Sequence, residues 1–512
     1  MFESIYSSQP YLLERTKIKE AFELLQQGHR VITICSDLGN GKTLFLDALR
    51  IRALERGFRV FEVREHSPEA ALELDRVARL EGNVLVTIEE YQDWLTEIGQ
   101  FIRLSGSNSR LVLTARSAIH DVNVDALGRE TGLEHIPEIY VDILEGAEVD
   151  WFIDSLDRYG LWGKWAAMPR ARKSHVIRTV CRGQIHALLL KIMDSPDIGR
   201  RLHELAKALS SDREKYEVLI GICILTLLNQ MPTFDTLVEM FGPGTLSKTR
   251  FRRDPLVSNF LDFSQNELLL KSPIAAQYVL KEIADPAFVV SVLTKLAKRA
   301  DTVAFMSKRY QKMLSNLLMF SNLQFVLPQD GRASAVISYY ESIKDLKHCR
   351  ENPLFWLQYA IACLVIEDLD RAARYFDTSY SFAYKQSFNT YQIDNHYARF
   401  LLVQAVRKLE AEAAMENFRR ARTIINQQIR DERMHYPYRV ATHYQEFLDR
   451  FSSSLTPGQL QELGKAAEDV SQTIDNLPYP RSKHRYIIEC RKAMRYVIDK
   501  ARELETSSER QK

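Results

Sequence analysis

The chain has 512 residues, enough for about three domains. Its residues are 46% hydrophobic and 27% charged, with a net charge of +2, which argues against a disordered chain and against a surface built to coat nucleic acid. No apolar run reaches the roughly 18 residues of a membrane span, no secretory signal is visible, and the six cysteines are scattered without a C-x-x-C pair. They read as reduced core residues of a cytoplasmic protein.

After a short lead, Arg15 stands before a helix expected from Thr16 to about Gln27. Its apolar residues Ile18, Ala21, Phe22 and Leu25 have helical spacing. On residue type alone Arg15 is a solvated charge at a helix start. The next stretch, Val31–Thr43 (VITICSDLGNGKT), organises the rest. A buried strand runs into a glycine-bearing turn that ends in Gly-Lys-Thr, and a helix follows. The pattern is a phosphate-binding loop, G-x-x-x-x-G-K-[ST], with Ser36 in place of the first glycine. Gly39 and Gly41 let the backbone approach phosphate oxygens. Lys42 is placed for the β- and γ-phosphates, the Thr43 hydroxyl for Mg²⁺, and the helix N-terminus adds its positive end. Ser36, Gly39, Asn40, Gly41, Lys42, Thr43 and Leu44 are therefore the candidate nucleotide contacts.

Arg59–Val63 is a second strand and Pro68–Leu80 a helix. Asn83–Ile88 is a buried strand that ends in Glu89-Glu90. A strand of this kind carries an acid at its C-terminal edge to hold Mg²⁺, so Glu89 takes the metal side. Glu90 is placed to orient or deprotonate an attacking water. A helix over Asp93–Leu104 leads to the strand Ser109–Ser117, with Arg116 at its exit. That arginine can report a γ-phosphate or act as a finger toward a neighbour. Glu138–Ile143 is a short fifth strand. The strand–helix order predicts an α/β doubly wound sheet over residues 1–145.

From Gly146 the pattern is helical. Val149–Tyr159, Ser174–Cys181 and Ile185–Ile192 form a helical lid over 146–210. Residues 211–286 combine the apolar helix Tyr216–Leu228, a two-stranded wing within Phe260–Pro273, and a helix Ile274–Ile283, which suggests a winged helix. The run Lys248, Arg250, Arg252, Arg253 reads as a solvated loop more readily than as a DNA contact. Residues 287–505 read as helix throughout. Trp356, Ala360, Cys363, Ala372, Phe376 and Ser379 sit at the bulky/small offsets of a tetratricopeptide repeat, and Ala398, Leu402, Ala405, Ala414, Phe418 and Ala421 form a looser copy. Their dense tyrosines serve helix-pair packing, a protein-binding surface, or both.

The order of these features resembles a STAND-class P-loop NTPase, the class of NB-ARC immune receptors and prokaryotic antiphage sensors. The implied architecture is an α/β P-loop NTPase domain, an all-α lid, a winged-helix domain and α-solenoid (TPR-like) repeats. Ser109–Arg116 is similar to the family's Ser-Arg-apolar-Thr-Thr-Arg strand, whose last arginine contacts the γ-phosphate. By the same resemblance Arg15 falls near the base or ribose. Cys181-Arg182-Gly183-Gln184-Ile185 looks like the family's Gly-x-Pro motif, with Ile185 where proline stands. Ser272 occupies the position where many members place a histidine that holds ADP. The resemblance implies a switch. ADP holds it closed, a protein ligand on the repeats (a phage protein in the antiviral members) opens it, and ATP then allows a homo-oligomer that gathers effectors. The effector is then on another chain or in a missing N-terminal domain. Two further readings stay open: an ATP-dependent transcription regulator and an AAA-type remodelling ATPase.

Overall fold

The computed structural model describes residues 13–37, 39–63, 67–133, 135–193, 196–228, 230, 232–242, 257–258, 261–264, 267–270, 273–328, 330–431, 435–477 and 484–509. Ser272 and the run from 248 to 253 lie outside them. The described residues are mostly helical, with one five-stranded parallel sheet and one two-stranded antiparallel pair. It divides into two compact units, one of Met1–Val292 with Phe325–Gln329, the other of Leu293–Gln324 with Asp330–Lys512.

In the first unit, α1 (Lys17–Gln26) buries Ile18, Ala21, Phe22 and Leu25, the four residues its spacing aligns. Burial of each larger side chain contributes about 1.5–3 kcal/mol. Then come β1 (Val31–Cys35), α2 (Lys42–Glu55), β2 (Arg59–Val63), α3 (Pro68–Ala78), β3 (Val84–Ile88), α4 (Leu95–Leu104), β4 (Ser109–Ala115), α5 (Ser117–Thr131) and β5 (Glu138–Tyr140). The sheet order is β2-β3-β4-β1-β5. β1 and β3 are buried at every residue, as a sheet covered on both faces requires. The register pairs Cys35 with Ala115 and Tyr140, and Ile88 with Leu113. Parallel pairing therefore brings Ser36, Glu89 and Arg116, each just past its strand, to one edge.

The fifth strand stops at Tyr140, short of the expected Ile143. Its pairing partner β1 ends at Cys35, and the next carbonyls, Val141 and Ile143, accept from the Arg15 guanidinium instead. The helix expected from Asp93 begins at Leu95, behind a tight 3₁₀ turn over Tyr91–Asp93.

Still in this unit are α6 (Gly146–Arg158), α7 (Arg170–His175), α8 (Ile185–Met193), α9 (Pro196–Ser210), α10 (Arg213–Leu227) and α11 (Phe234–Phe241). Beyond His175 the helix α7 widens into a π turn over Val176–Val180. β6 (Leu261–Ser264) and β7 (Glu267–Leu270) pair antiparallel, and α12 (Pro273–Tyr278) follows.

α13 (Pro286–Val303) runs to the second unit, which holds α14 (Lys308–Leu318), α16 (Arg332–Ile343) after α15 (Phe320–Val326), and the pairs α17 (Pro353–Val365)/α18 (Leu369–Lys385) and α19 (Tyr391–Val406)/α20 (Ala411–Asp431). α21 (Tyr436–Ala441), α22 (His443–Phe451), α23 (Pro457–Asp475) and α24 (Arg485–Glu509) complete it. Ala360, Cys363, Ala372, Phe376 and Ser379 are buried between α17 and α18, and Ala398, Leu402, Ala405, Ala414, Phe418 and Ala421 between α19 and α20. The small residues let each pair of helices approach, and the aromatics fill the gap left beside them. Several tyrosines are packing residues. Tyr359 and Tyr375 stack at 4.0 Å, and both hydroxyls donate to Glu341. Tyr384 is 71% exposed, on the wall of a groove of about 520 Å³ that Phe388, Asp394 and Gln428 also line.

Candidate functional site

The loop after β1 owes its shape to two left-handed glycines, Gly39 (φ 82°) and Gly41 (φ 88°). Such φ values favour glycine because a side chain there meets the carbonyl oxygen that follows it. α2 then starts at Lys42, and its first intrahelical bond runs from Phe45 N–H to the Gly41 carbonyl. The amides of Lys42, Thr43 and Leu44 thus precede the ladder and are available to an anion. The Leu44 side chain is 51% exposed, so any contact it makes there is through its backbone.

The Lys42 ammonium donates to the carbonyls of Ser36 (2.7 Å) and Asp37 (3.1 Å). Burial pulls its pKa below the usual lysine value; Glu90 opposes that, and Arg116 adds to it. Arg116 is itself only 4% exposed, and burial depresses it too, against the opposing charges of Glu90 and Asp37. Among the described residues its guanidinium makes no hydrogen bond or ion pair. A buried guanidinium carries a desolvation cost of several kcal/mol unless an anion meets it. A half-buried lysine and a buried arginine beside open helix-start amides are a cradle for a polyanion.

On the other side, the Thr43 hydroxyl donates to Glu89 Oε2 at 2.9 Å. Burial raises the Glu89 carboxyl above its usual range, while Thr43 and Arg50 draw it down. A hydroxyl and a carboxylate at this separation are hard oxygen donors suited to Mg²⁺. Glu90, the next residue, is a non-glycine at φ 51°. Such a backbone costs about 1–3 kcal/mol and marks positions that the surrounding structure holds. Gln92 Nε2 donates to its carboxylate at 3.2 Å.

The remaining sequence candidates have other geometry. The Asn40 side chain is buried, donates to Asp142 (3.1 Å) and accepts from the His186 amide (3.1 Å). It ties the loop to β5 and to α8. Asp142 also accepts from Asp37 N–H at 2.7 Å. Neither Asp142 nor His186 stood out in the sequence; the one available signal for Asp142 was an acid at a strand exit. Arg15, expected near a base or ribose, is 4% exposed and committed to protein acceptors. These are Glu148 (3.0 Å) and the carbonyls of Asn40 (3.4 Å), Val141 (3.0 Å) and Ile143 (2.9 Å). It clamps the loop, the β5 exit and α6 together. Gly183, at φ 71°, packs on Ile143, where an added Cβ would lie 2.9 Å from Cγ2. It serves the lid junction.

α8 and α12 rest on the loop. A Cβ on Gly39 would lie 2.8 Å from Ile274 Cδ1 and 3.2 Å from the His186 ring. His186 Nε2 is 2.5 Å from Gln277 Oε1, which joins the two helices.

No family model matches the chain, and no curated protein matches it. Among solved structures it is similar to the crystal structure of a Signal Transduction ATPase with Numerous Domains (STAND) protein with a tetratricopeptide repeat sensor from Pyrococcus horikoshii. The identity is 13%, 95% of this chain and 85% of that chain are covered, and the TM-score is 0.30. At that likeness the functional reading of the site rests on its own geometry.

Proposed function

We propose that the chain is an ATP-binding and ATP-hydrolysing switch of the STAND type. The observation that carries this is the meeting, at one sheet edge, of Lys42 and Arg116 with the Thr43–Glu89 pair and the left-handed Glu90. Lys42 exchanges the loop carbonyls for phosphate oxygens, and the amides of Lys42, Thr43 and Leu44 close round them. Thr43 and Glu89 would hold Mg²⁺, whose charge would offset that of the phosphoryl group. Glu90 orients the water and accepts its proton. Arg116 distinguishes a triphosphate from a diphosphate.

Contacts of α8 and α12 with the loop give bound nucleotide a route to the lid helices. The helical repeats are the part of this switch that reads a protein ligand, and the ATP state assembles into a homo-oligomer that engages an effector, in a defence setting. A ligand drives such a change only by binding one state better, and about 5.5 kcal/mol of difference moves 1:99 to 99:1.

Denaturing extraction of nucleotide from the purified chain, with its mass by light scattering, tests the reading. A monomer with stoichiometric ADP is expected, and an empty Lys42→Ala variant. A nucleotide-free ring with steady turnover would sink it and favour a remodelling ATPase.

A further inference from the structure

Beneath the site lies a polar cluster that none of these roles uses. His120, on α5, is 0% exposed. Its Nδ1 is 2.8 Å from the Tyr91 hydroxyl, with the two rings edge to face, and its Nε2 is 3.2 Å from Glu138 Oε1. The Cys35 thiol faces the same ring. Tyr140 donates to the other Glu138 oxygen at 2.9 Å. The His120 amide donates to the Arg116 carbonyl at 2.8 Å.

Three members of the cluster lie next to residues of the site. Cys35 precedes Ser36, whose carbonyl takes the Lys42 ammonium. Tyr91 follows Glu90. The first turn of α5, which carries His120, begins just after Arg116. Glu138 opens β5. His120 therefore joins the exits of β1 and β3 to the start of β5 through its ring, and ties in the exit of β4 through its amide. An apolar side chain could fill the same space without the desolvation of an imidazole and a carboxylate. Glu90 also needs support, since its left-handed backbone relaxes unless its neighbours hold it. Tyr91 is the neighbour best placed to do so: it is fully buried, and His120 fixes its hydroxyl.

We propose that His120 is a positioning residue for hydrolysis: through Tyr91 it holds the Glu90 carboxylate at the attacking water while its own helix turn holds Arg116. The inference rests on the ATPase reading. Misplacing a catalytic group by about 1 Å can lower a rate about a hundredfold without weakening nucleotide binding.

The test is single-turnover ATP hydrolysis, with ATP and ADP dissociation constants and thermal melts, on the full chain and on Tyr91→Phe, His120→Gln and His120→Asn. Tyr91→Phe and His120→Gln should lower the rate constant about tenfold to a hundredfold and shift nucleotide affinity by less than about threefold. The asparagine amide reaches the Nδ1 position, so His120→Asn should recover most of the rate. The Tyr91→Phe/His120→Gln double variant should be no slower than the worse single, because both remove one link. A melting point that drops without a change in rate, or a rate and affinity that fall together, would overturn the proposal. If the His120 variants do not fold, Tyr91→Phe, which loses one oxygen, decides it alone. Wild-type protein that never turns over ATP overturns the proposed function and this inference with it. Active wild type with unaffected variants overturns this inference only.

Discussion

Thr43 and Glu89, forty-six positions apart in the chain, share a 2.9 Å hydrogen bond at the carboxyl edge of the sheet. The contact joins the start of α2 to the exit of β3 and sets two hard oxygens side by side. Thr43→Ala and Glu89→Gln should therefore each raise the Mg²⁺ concentration needed for tight ATP binding by about tenfold, a loss of about 1.4 kcal/mol. Binding in EDTA should change little. Burial lifts the Glu89 carboxyl, so metal affinity should start to fall on acidification above the ordinary glutamate value of about 4.3. Mg²⁺ titrations with a fluorescent nucleotide would show this. An equal loss with and without metal would assign the pair to loop structure.

Arg116 offers a sharper separation. It is buried, and among the described residues no hydrogen bond or ion pair holds its guanidinium, so it contributes desolvation cost to the ligand-free protein. Arg116→Met should leave the ligand-free melting point unchanged or higher. It should hold ADP affinity within about threefold and reduce the preference for ATP by about tenfold or more. Calorimetric titration of both nucleotides checks it. Equal weakening of ADP and ATP would mean that Arg116 braces the loop.

The chemistry-bearing edge was legible because its signals are local. A glycine turn before Lys42-Thr43, two acids after a buried strand and an arginine after another can each be read within a few residues. The repeat positions were legible for a similar reason: small and bulky residues at helical spacing, such as Ala360 and Phe376, have to meet. What stayed hidden was the set of connections between distant segments. Asp142, His186, Gln277 and His120 act on the loop or its neighbours only after the chain folds, and no spacing rule links Asn40 to His186. Arg15 shows the limit from the other side. At a helix start it reads as a solvated charge, yet a carboxylate 133 positions away buries it. Helix α5 was missed because its pattern is weakly amphipathic and polar residues such as His120 and Thr131 lie inside the fold.

The Arg15–Glu148 pair should dominate the acid stability of the first unit. Both side chains are buried, 4% and 1% exposed. Removal of one partner strands the other charge, so Arg15→Ala should destabilise by about 3–5 kcal/mol. Burial pushes the Glu148 carboxyl up, but the Glu145 amide, Arg15 and the Thr16 amide more than reverse this, and its pKa lies below the usual value. A depressed carboxyl contributes stability above its unfolded pKa and loses it as pH falls through the folded one. Urea denaturation at pH 7 and across the acid range, followed by tryptophan fluorescence, would measure it. Four of the five tryptophans (94, 151, 162 and 165) lie in this unit. Glu148→Gln should flatten the acid limb. An unchanged limb would place the acid sensitivity elsewhere.

His186 stands where nucleotide release should be set. Its amide donates to Asn40 in the loop, its ring packs beside Gly39, and its Nε2 meets Gln277 on α12. Burial lowers its pKa, and Lys281 adds to that against the opposing Gln277 contact, so the ring stays neutral through the physiological range. A neutral imidazole with its proton on Nε2 donates to the Gln277 carbonyl oxygen, and that bond keeps α8 and α12 together over the loop. His186→Ala removes the ring and keeps the amide; Gln277→Leu removes the acceptor. Both should speed release of a bound fluorescent ADP by about tenfold, one hydrogen-bonded contact's worth, with the association rate little changed. The sign for pH follows from the depressed value, whose cause is burial: the seating of the neutral ring between the helices contributes above the ordinary histidine pKa of about 6.5 and is lost as pH falls through the folded one, although the charged ring would still donate to Gln277. Release should therefore quicken only in acid well below neutrality, and in His186→Ala that acceleration should vanish. Stopped-flow displacement by excess unlabelled ADP reads both effects. Release from Gln277→Leu at the wild-type rate would mean that the two helices rest on the loop without holding the nucleotide.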